Sequence, residues 1–122
     1  MQKIFYVGLG GFIGAALRYL ISSKIISDSI PWGTLLVNVI GGILIGLIMP
    51  ICLSTDFISP NVKLFFTTGV LGGLTTFSTF SYETIGLFNN GDYKSGVFNI
   101  CLNLLLCLGG VLLGQYLALK VV

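Results

Sequence analysis

The sequence predicts an all-α membrane protein built from four transmembrane helices. Composition carries half of that prediction: 55% of the 122 residues are hydrophobic, only 8% are charged and the mean hydropathy is +1.02, against about 25% charged in a soluble domain. Segment length carries the rest. A spanning helix takes about 20 mostly apolar residues, and four segments qualify, roughly 4–23, 33–53, 62–87 and 95–119. A single transmembrane domain over 1–122 is expected, with no room left for a soluble one.

Composition also excludes chemistry. There is no histidine, and Asp28, Asp56, Glu83 and Asp92 are the only acids, so a histidine triad, a zinc cluster or a multi-carboxylate site cannot be assembled and no enzyme is expected. The six cations, Lys3, Arg18, Lys24, Lys63, Lys94 and Lys120, are spread along the chain. They form no basic patch for nucleic acid. Cys52, Cys101 and Cys107 lie in or beside apolar runs; an odd number so placed reads as small packing residues, not as a disulfide framework.

In the first span, Lys3, an apolar run and Gly14-Ala15-Ala16 have the outline of a secretory signal, but the segment is expected to be retained as a helix. Arg18, toward its end, has a stem long enough to snorkel to the interface or to draw anions into a vestibule. The second span holds Asn38 in an otherwise apolar run. A lone amide in lipid is costly unless it meets a partner. Its NH₂ can donate to an anion, and Thr34, four residues earlier, adds a second neutral donor on the same face. Pro31, Pro60 and Asn89-Asn90-Gly91 mark the three short connections.

The third span is the unusual one. Seven hydroxyl side chains fall between residues 67 and 81, around Gly72-Gly73 and Thr75-Thr76. Glycine and threonine are poor helix formers, so a break near mid-membrane is expected there. Lipid cannot satisfy freed backbone groups, and a break survives only where it is buried in protein, coordinates an ion or lines a watery path. A kink whose hydroxyls bond back to the preceding turn is the plainer alternative. Phe77 and Phe80, three apart, share a face if the helix resumes. Their positive ring edges can attract an anion, although packing is the commoner role. Glu83, the only acid within a span, is the single candidate for proton coupling. On the fourth span Asn99, Asn103 and Cys107 recur at spacings of four, as a second polar stripe or as helix–helix glue.

Four short spans enclose little, so association of subunits is expected. Gly10 with Gly14, Gly42 with Gly46 and Gly110 with Gly114 offer nearly bare helix faces, for contacts either between subunits or within one. Lys3, Lys63 and Lys120 fall on one side of the membrane, while Lys24 and Lys94 fall on the other with Arg18 toward that end. The positive-inside bias is close to nil, which permits insertion in both orientations and an antiparallel dimer.

Three blocks, Gly10 to Tyr19 (GGFIGAALRY), Gly33 to Asn38 (GTLLVN) and Gly72 to Ser81 (GGLTTFSTFS), together resemble the small fluoride channels of the Fluc (CrcB-like) family. The resemblance implies a dual-topology antiparallel homodimer in the cell inner (plasma) membrane, with two fluoride pathways at the subunit interface and a central structural sodium ion. It implies that the backbone carbonyls of Gly72 and Thr75 hold the sodium, that Phe77, Phe80 and Asn38 line the fluoride route, and that Thr34, Ser78, Thr79, Ser81 and Glu83 lie on or near it. Arg18 matches the family arginine at the vestibule. The family's fourth helix tends to carry a tyrosine and serine track, where this chain has Asn99, Asn103 and Cys107; Asn103 is the residue expected on the pathway. The activity implied is passive export of fluoride, and the rival reading is a small proton-coupled, dual-topology exporter using Glu83.

Overall fold

The computed structural model describes residues 1–121, and every element in it is helical. Helix α1 spans Gln2–Ser23, α2 Trp32–Ser54, α3 Pro60–Leu64, α4 Gly72–Leu74, α5 Phe77–Asn89 and α6 Tyr93–Ala118; a π-helical segment, Phe65–Leu71, joins α3 to α4. Helices α1, α2 and α6 are long and apolar enough to cross a membrane. The expected spans 4–23, 33–53 and 95–119 agree with these within two residues at each end.

The expected third span, 62–87, is not one helix. It comprises α3, the π-helical segment, α4 and α5, interrupted where Thr75 and Thr76 are extended, with ψ of 157° and 122°. The break thus falls just after the double glycine, whose residues remain helical. The π-helical turns ahead of it were not expected from the sequence; such widened turns often sit at functional positions.

Glycine determines how the helices meet. A Cβ on Gly14 would overlap the Val70 carbonyl oxygen, and one on Gly73 would lie 2.6 Å from the Gly11 carbonyl oxygen. Helix α1 therefore lies against the π-helical segment and α4 almost backbone to backbone. Gly42 and Gly46 of α2 likewise meet the Cys107 and Val111 carbonyls of α6, and Gly114 meets the Ile43 carbonyl. All three spaced glycine pairs, Gly10 with Gly14, Gly42 with Gly46 and Gly110 with Gly114, are thus used inside the chain. Val37, Leu71 and Leu74 form the buried apolar centre, with Ile40 and Leu44 packed on it.

Local chemistry sets the helix ends. The Ser59 hydroxyl accepts from the Val62 N–H at 3.3 Å with Pro60 at the first helical position, the standard opening of a helix. Helix α5 closes with a Schellman motif: the Gly91 N–H donates to the Phe88 carbonyl at 3.0 Å and the Asp92 N–H to the Leu87 carbonyl at 2.9 Å. Gly91 takes a φ of +78°, which a side chain would resist. Asp92 then caps α6 by accepting from the Ser95 N–H at 3.1 Å.

Candidate functional site

The break is held open by one side chain. Asn38 reaches from α2 and pairs with Thr76 as a strand neighbour would: its Oδ1 accepts from the Thr76 N–H at 2.7 Å, and its Nδ2 donates to the Thr76 carbonyl at 3.0 Å. In a continuous helix the Thr76 N–H would go to the Gly72 carbonyl, four residues earlier. A displaced donor three residues on behaves similarly. The Thr79 N–H, natural partner of the Thr75 carbonyl, donates instead to the Thr76 hydroxyl at 3.1 Å, which caps α5. The carbonyls of Gly72 and Thr75 consequently lose these helical donors, and among the described residues no other backbone N–H reaches the Thr75 carbonyl.

Apart from Thr68, the hydroxyls of this region divide into two groups. Thr67, Thr75, Ser81 and Thr84 bond back to the carbonyl four residues earlier, at 2.8, 3.0, 2.8 and 2.7 Å, as the plainer reading anticipates. Thr76, Ser78 and Thr79 instead cluster at the start of α5, with Thr76 Oγ1 lying 3.3 Å from Ser78 Oγ and 3.1 Å from Thr79 Oγ1. Ser78 and Thr79 are exposed.

Beside the break lies an open groove of about 430 Å³. It brings together Asn38, Gly72, Thr75, Phe77, Phe80 and Asn103 of the expected set, with Cys107 in its wall. The two phenylalanine rings are 5.4 Å apart at 54°, yet Phe77 is 75% exposed while Phe80 is only 7% exposed.

Other expected residues stand outside that groove. Thr34, buried at the start of α2, donates its hydroxyl to Glu83 Oε1 at 2.9 Å, and Glu83 Oε2 is buried with no partner. Thr34 therefore does not present a free donor in line with Asn38. Arg18 is half-buried on α1, with its carbonyl taken by the Ser22 hydroxyl at 2.6 Å. The stripe on α6 proves to be a network: Asn38 Nδ2 donates to Asn103 Oδ1 at 3.2 Å, and Asn103 Nδ2 to the carbonyl and Oδ1 of Asn99 at 3.0 and 3.1 Å. Thr84 and the backbone role of Thr76 were not singled out from the sequence. The only signal for Thr84 was its four-residue spacing from Phe80, which does not distinguish it from any back-bonded threonine.

Fold and site together define a small multi-pass helical membrane protein with a polar, backbone-lined discontinuity between its helices. The family model described as CrcB-like protein, Camphor Resistance (CrcB), matches residues 5–115. This chain belongs to the CrcB-like family. It is 60% identical over 114 residues to the fluoride-specific ion channel FluC of Clostridium novyi (strain NT), covering 91% of this chain and 89% of that protein. The proteins of the same name from Clostridium perfringens (strain 13 / Type A) and Shewanella sp. (strain ANA-3) are 53% and 48% identical, with 97% and 96% of each chain covered.

Proposed function

We propose that this protein is a fluoride channel of the cell inner membrane that lets the anion leave the cytoplasm passively, as an antiparallel dual-topology homodimer with two pathways and a central sodium ion. One observation carries the reading: the break in the third span is clamped by Asn38 and opens onto a groove edged by Phe77 and Phe80. Fluoride is small and strongly hydrated, so a pore must replace its water with donors and avoid a fixed cation that would retain it. Amide N–H, hydroxyl O–H and ring C–H edges meet that demand.

The sodium proposal rests on the donor set. Gly72 and Thr75 offer neutral carbonyl oxygens stripped of their helical N–H donors, the hard ligands an alkali ion takes, and a Cβ-free Gly72 lies exposed. Bound there, the ion supplies positive potential at mid-membrane. The dimer proposal rests on the 75% exposed Phe77 and on a charge balance that favours neither orientation.

Such a pore needs no energy source. Neutral HF crosses the bilayer, dissociates in the more alkaline cytoplasm, and the membrane potential drives the trapped anion out. The deciding test is fluoride release from liposomes containing only this polypeptide, read with a fluoride electrode. Rapid release driven by a potassium-set voltage, without a proton gradient, is expected. Release only when a proton gradient is imposed would transfer the role to Glu83-coupled exchange and overturn the channel reading.

A further inference from the structure

We infer that Thr84 and Asn99, neither of which lines the groove, are positioning residues that hold the Asn103 oxygen toward the Asn38 amide and so fix where its second N–H goes. The inference rests on the proposed fluoride pathway for its effect on flux, and on hydrogen bonding alone for its structural part. A carboxamide carries an acceptor on one side and two donors on the other, and its neighbours decide between the two orientations.

Here each neighbour is itself a carboxamide or hydroxyl, so the choice is passed along a line. Thr76 clamps both ends of the Asn38 amide, its N–H on Oδ1 and its carbonyl on one N–H, which leaves the other N–H for Asn103 Oδ1. Asn103, accepting on its oxygen, turns its own NH₂ to Asn99. Asn99, accepting on Oδ1, turns its NH₂ to Thr84 Oγ1 at 2.9 Å. The Thr84 hydroxyl then donates to the Phe80 carbonyl at 2.7 Å. Apart from the Asn38 N–H returned to the Thr76 carbonyl, the donors of this relay point one way, from the break to the helix that carries the groove's buried ring.

Burial makes the relay strict. Asn99 is 0% exposed, Thr84 4% and Asn103 6%, so water does not replace a lost partner and an unmade bond costs its full desolvation. Without the Thr84 hydroxyl, the Asn99 NH₂ has no acceptor. Flipping Asn99 sets its NH₂ against that of Asn103, and flipping Asn103 sets NH₂ against NH₂ at Asn38. Asn38 must then forgo its acceptor on α6 or release the Thr76 N–H. A hydroxyl outside the groove thereby governs how the second Asn38 N–H is held.

Thr84→Val keeps the shape and deletes the hydroxyl, and Thr84→Ser restores it. In ¹⁵N spectra of the full chain in lipid nanodiscs, Thr84→Val is expected to move the Asn38 side-chain NH₂ signals, identified by their loss in Asn38→Ala, and Thr84→Ser to return them. In liposomes Thr84→Val is expected to slow fluoride release about tenfold, as for one orphaned buried donor, with most of the rate recovered in Thr84→Ser. In an Asn99→Leu background the same substitution is expected to add no further loss. Unmoved Asn38 signals in Thr84→Val overturn the inference. Unchanged release from Thr84→Val beside a conducting parent overturns it equally. A parent chain that releases no fluoride removes the pathway reading instead, and the Asn38 signals still decide whether Thr84 sets that amide. Should Thr84→Val not assemble, Thr84→Ala is compared with Thr84→Ser by the same signals.

Discussion

Asn38 does two jobs with one carboxamide. It replaces the hydrogen bonds that Thr76 loses by leaving the helix, and it commits its second N–H to Asn103 in the groove wall. Asn38→Ala orphans both backbone groups of Thr76 as well as Asn103 Oδ1. It is expected to destabilise the protein by about 2 kcal/mol or more and to cut fluoride release sharply, checked by melting in detergent alongside liposome flux. Phe80→Ile separates the two effects, because a buried apolar side chain replaces another while the ring edge is lost. Release is expected to fall while melting changes little; full release would remove Phe80 from the pathway. The sequence made Asn38 conspicuous, since an amide in an apolar run must find a partner. It did not say which, because Thr76 lies 38 positions away and Asn103 lies 65. Asn99 was visible as part of a stripe but not as a link, since its meaning depends on Thr84 across a helix boundary.

The third span shows how local chemistry interrupts a helix and re-pairs part of the backbone it frees. The Thr76 hydroxyl restarts the helix by capping it, so Thr76→Val is expected to cost about 1 kcal/mol and to loosen α5 first, read as faster amide exchange at Phe77 to Thr79 than in α6. Asp92 caps α6 at the aqueous end. Hydrogen bonding from Ser95 holds its carboxyl below the ordinary carboxylate range, with the nearby Lys94 charge adding to the effect. A lowered folded value means that the cap's contribution is complete above the ordinary value of about 3.9 and fades as pH falls through the lowered one. Melting of the parent chain is therefore expected to decline more steeply below about pH 4 than that of Asp92→Asn, which keeps an acceptor without a titration. Parallel curves would deny the cap that role. Glycine and threonine propensity made the interruption legible, and the Asn-Gly pair made the turn before α6 legible. The π-helical turns were not, because Phe65 to Leu71 carries no residue pattern that separates a widened turn from an ordinary one. The glycine pairs announced close approach, but not that their partners lie within the same chain.

One copy of the chain leaves its groove open and Phe77 three-quarters exposed, and in the proposed dimer a second copy would complete the pathway. The charges constrain how that copy is inserted. In the proposed four-span topology Lys3, Lys63 and Lys120 would lie toward one membrane face and Lys24 and Lys94 toward the other, with Arg18 near the second group, so neither orientation would gain. An antiparallel pair needs both orientations in the same membrane, and a few added lysines suffice to abolish that balance. Ser29→Lys with Asn90→Lys loads one face, and Ser54→Lys with Asp56→Lys loads the other; all four positions are exposed and outside the groove. Each doubly substituted chain expressed alone is expected to insert one way and to lose fluoride release. The two expressed together supply opposite orientations and are expected to recover it. Full release from either chain alone would show that a parallel arrangement conducts, and would remove the antiparallel dimer while leaving the pathway residues in place.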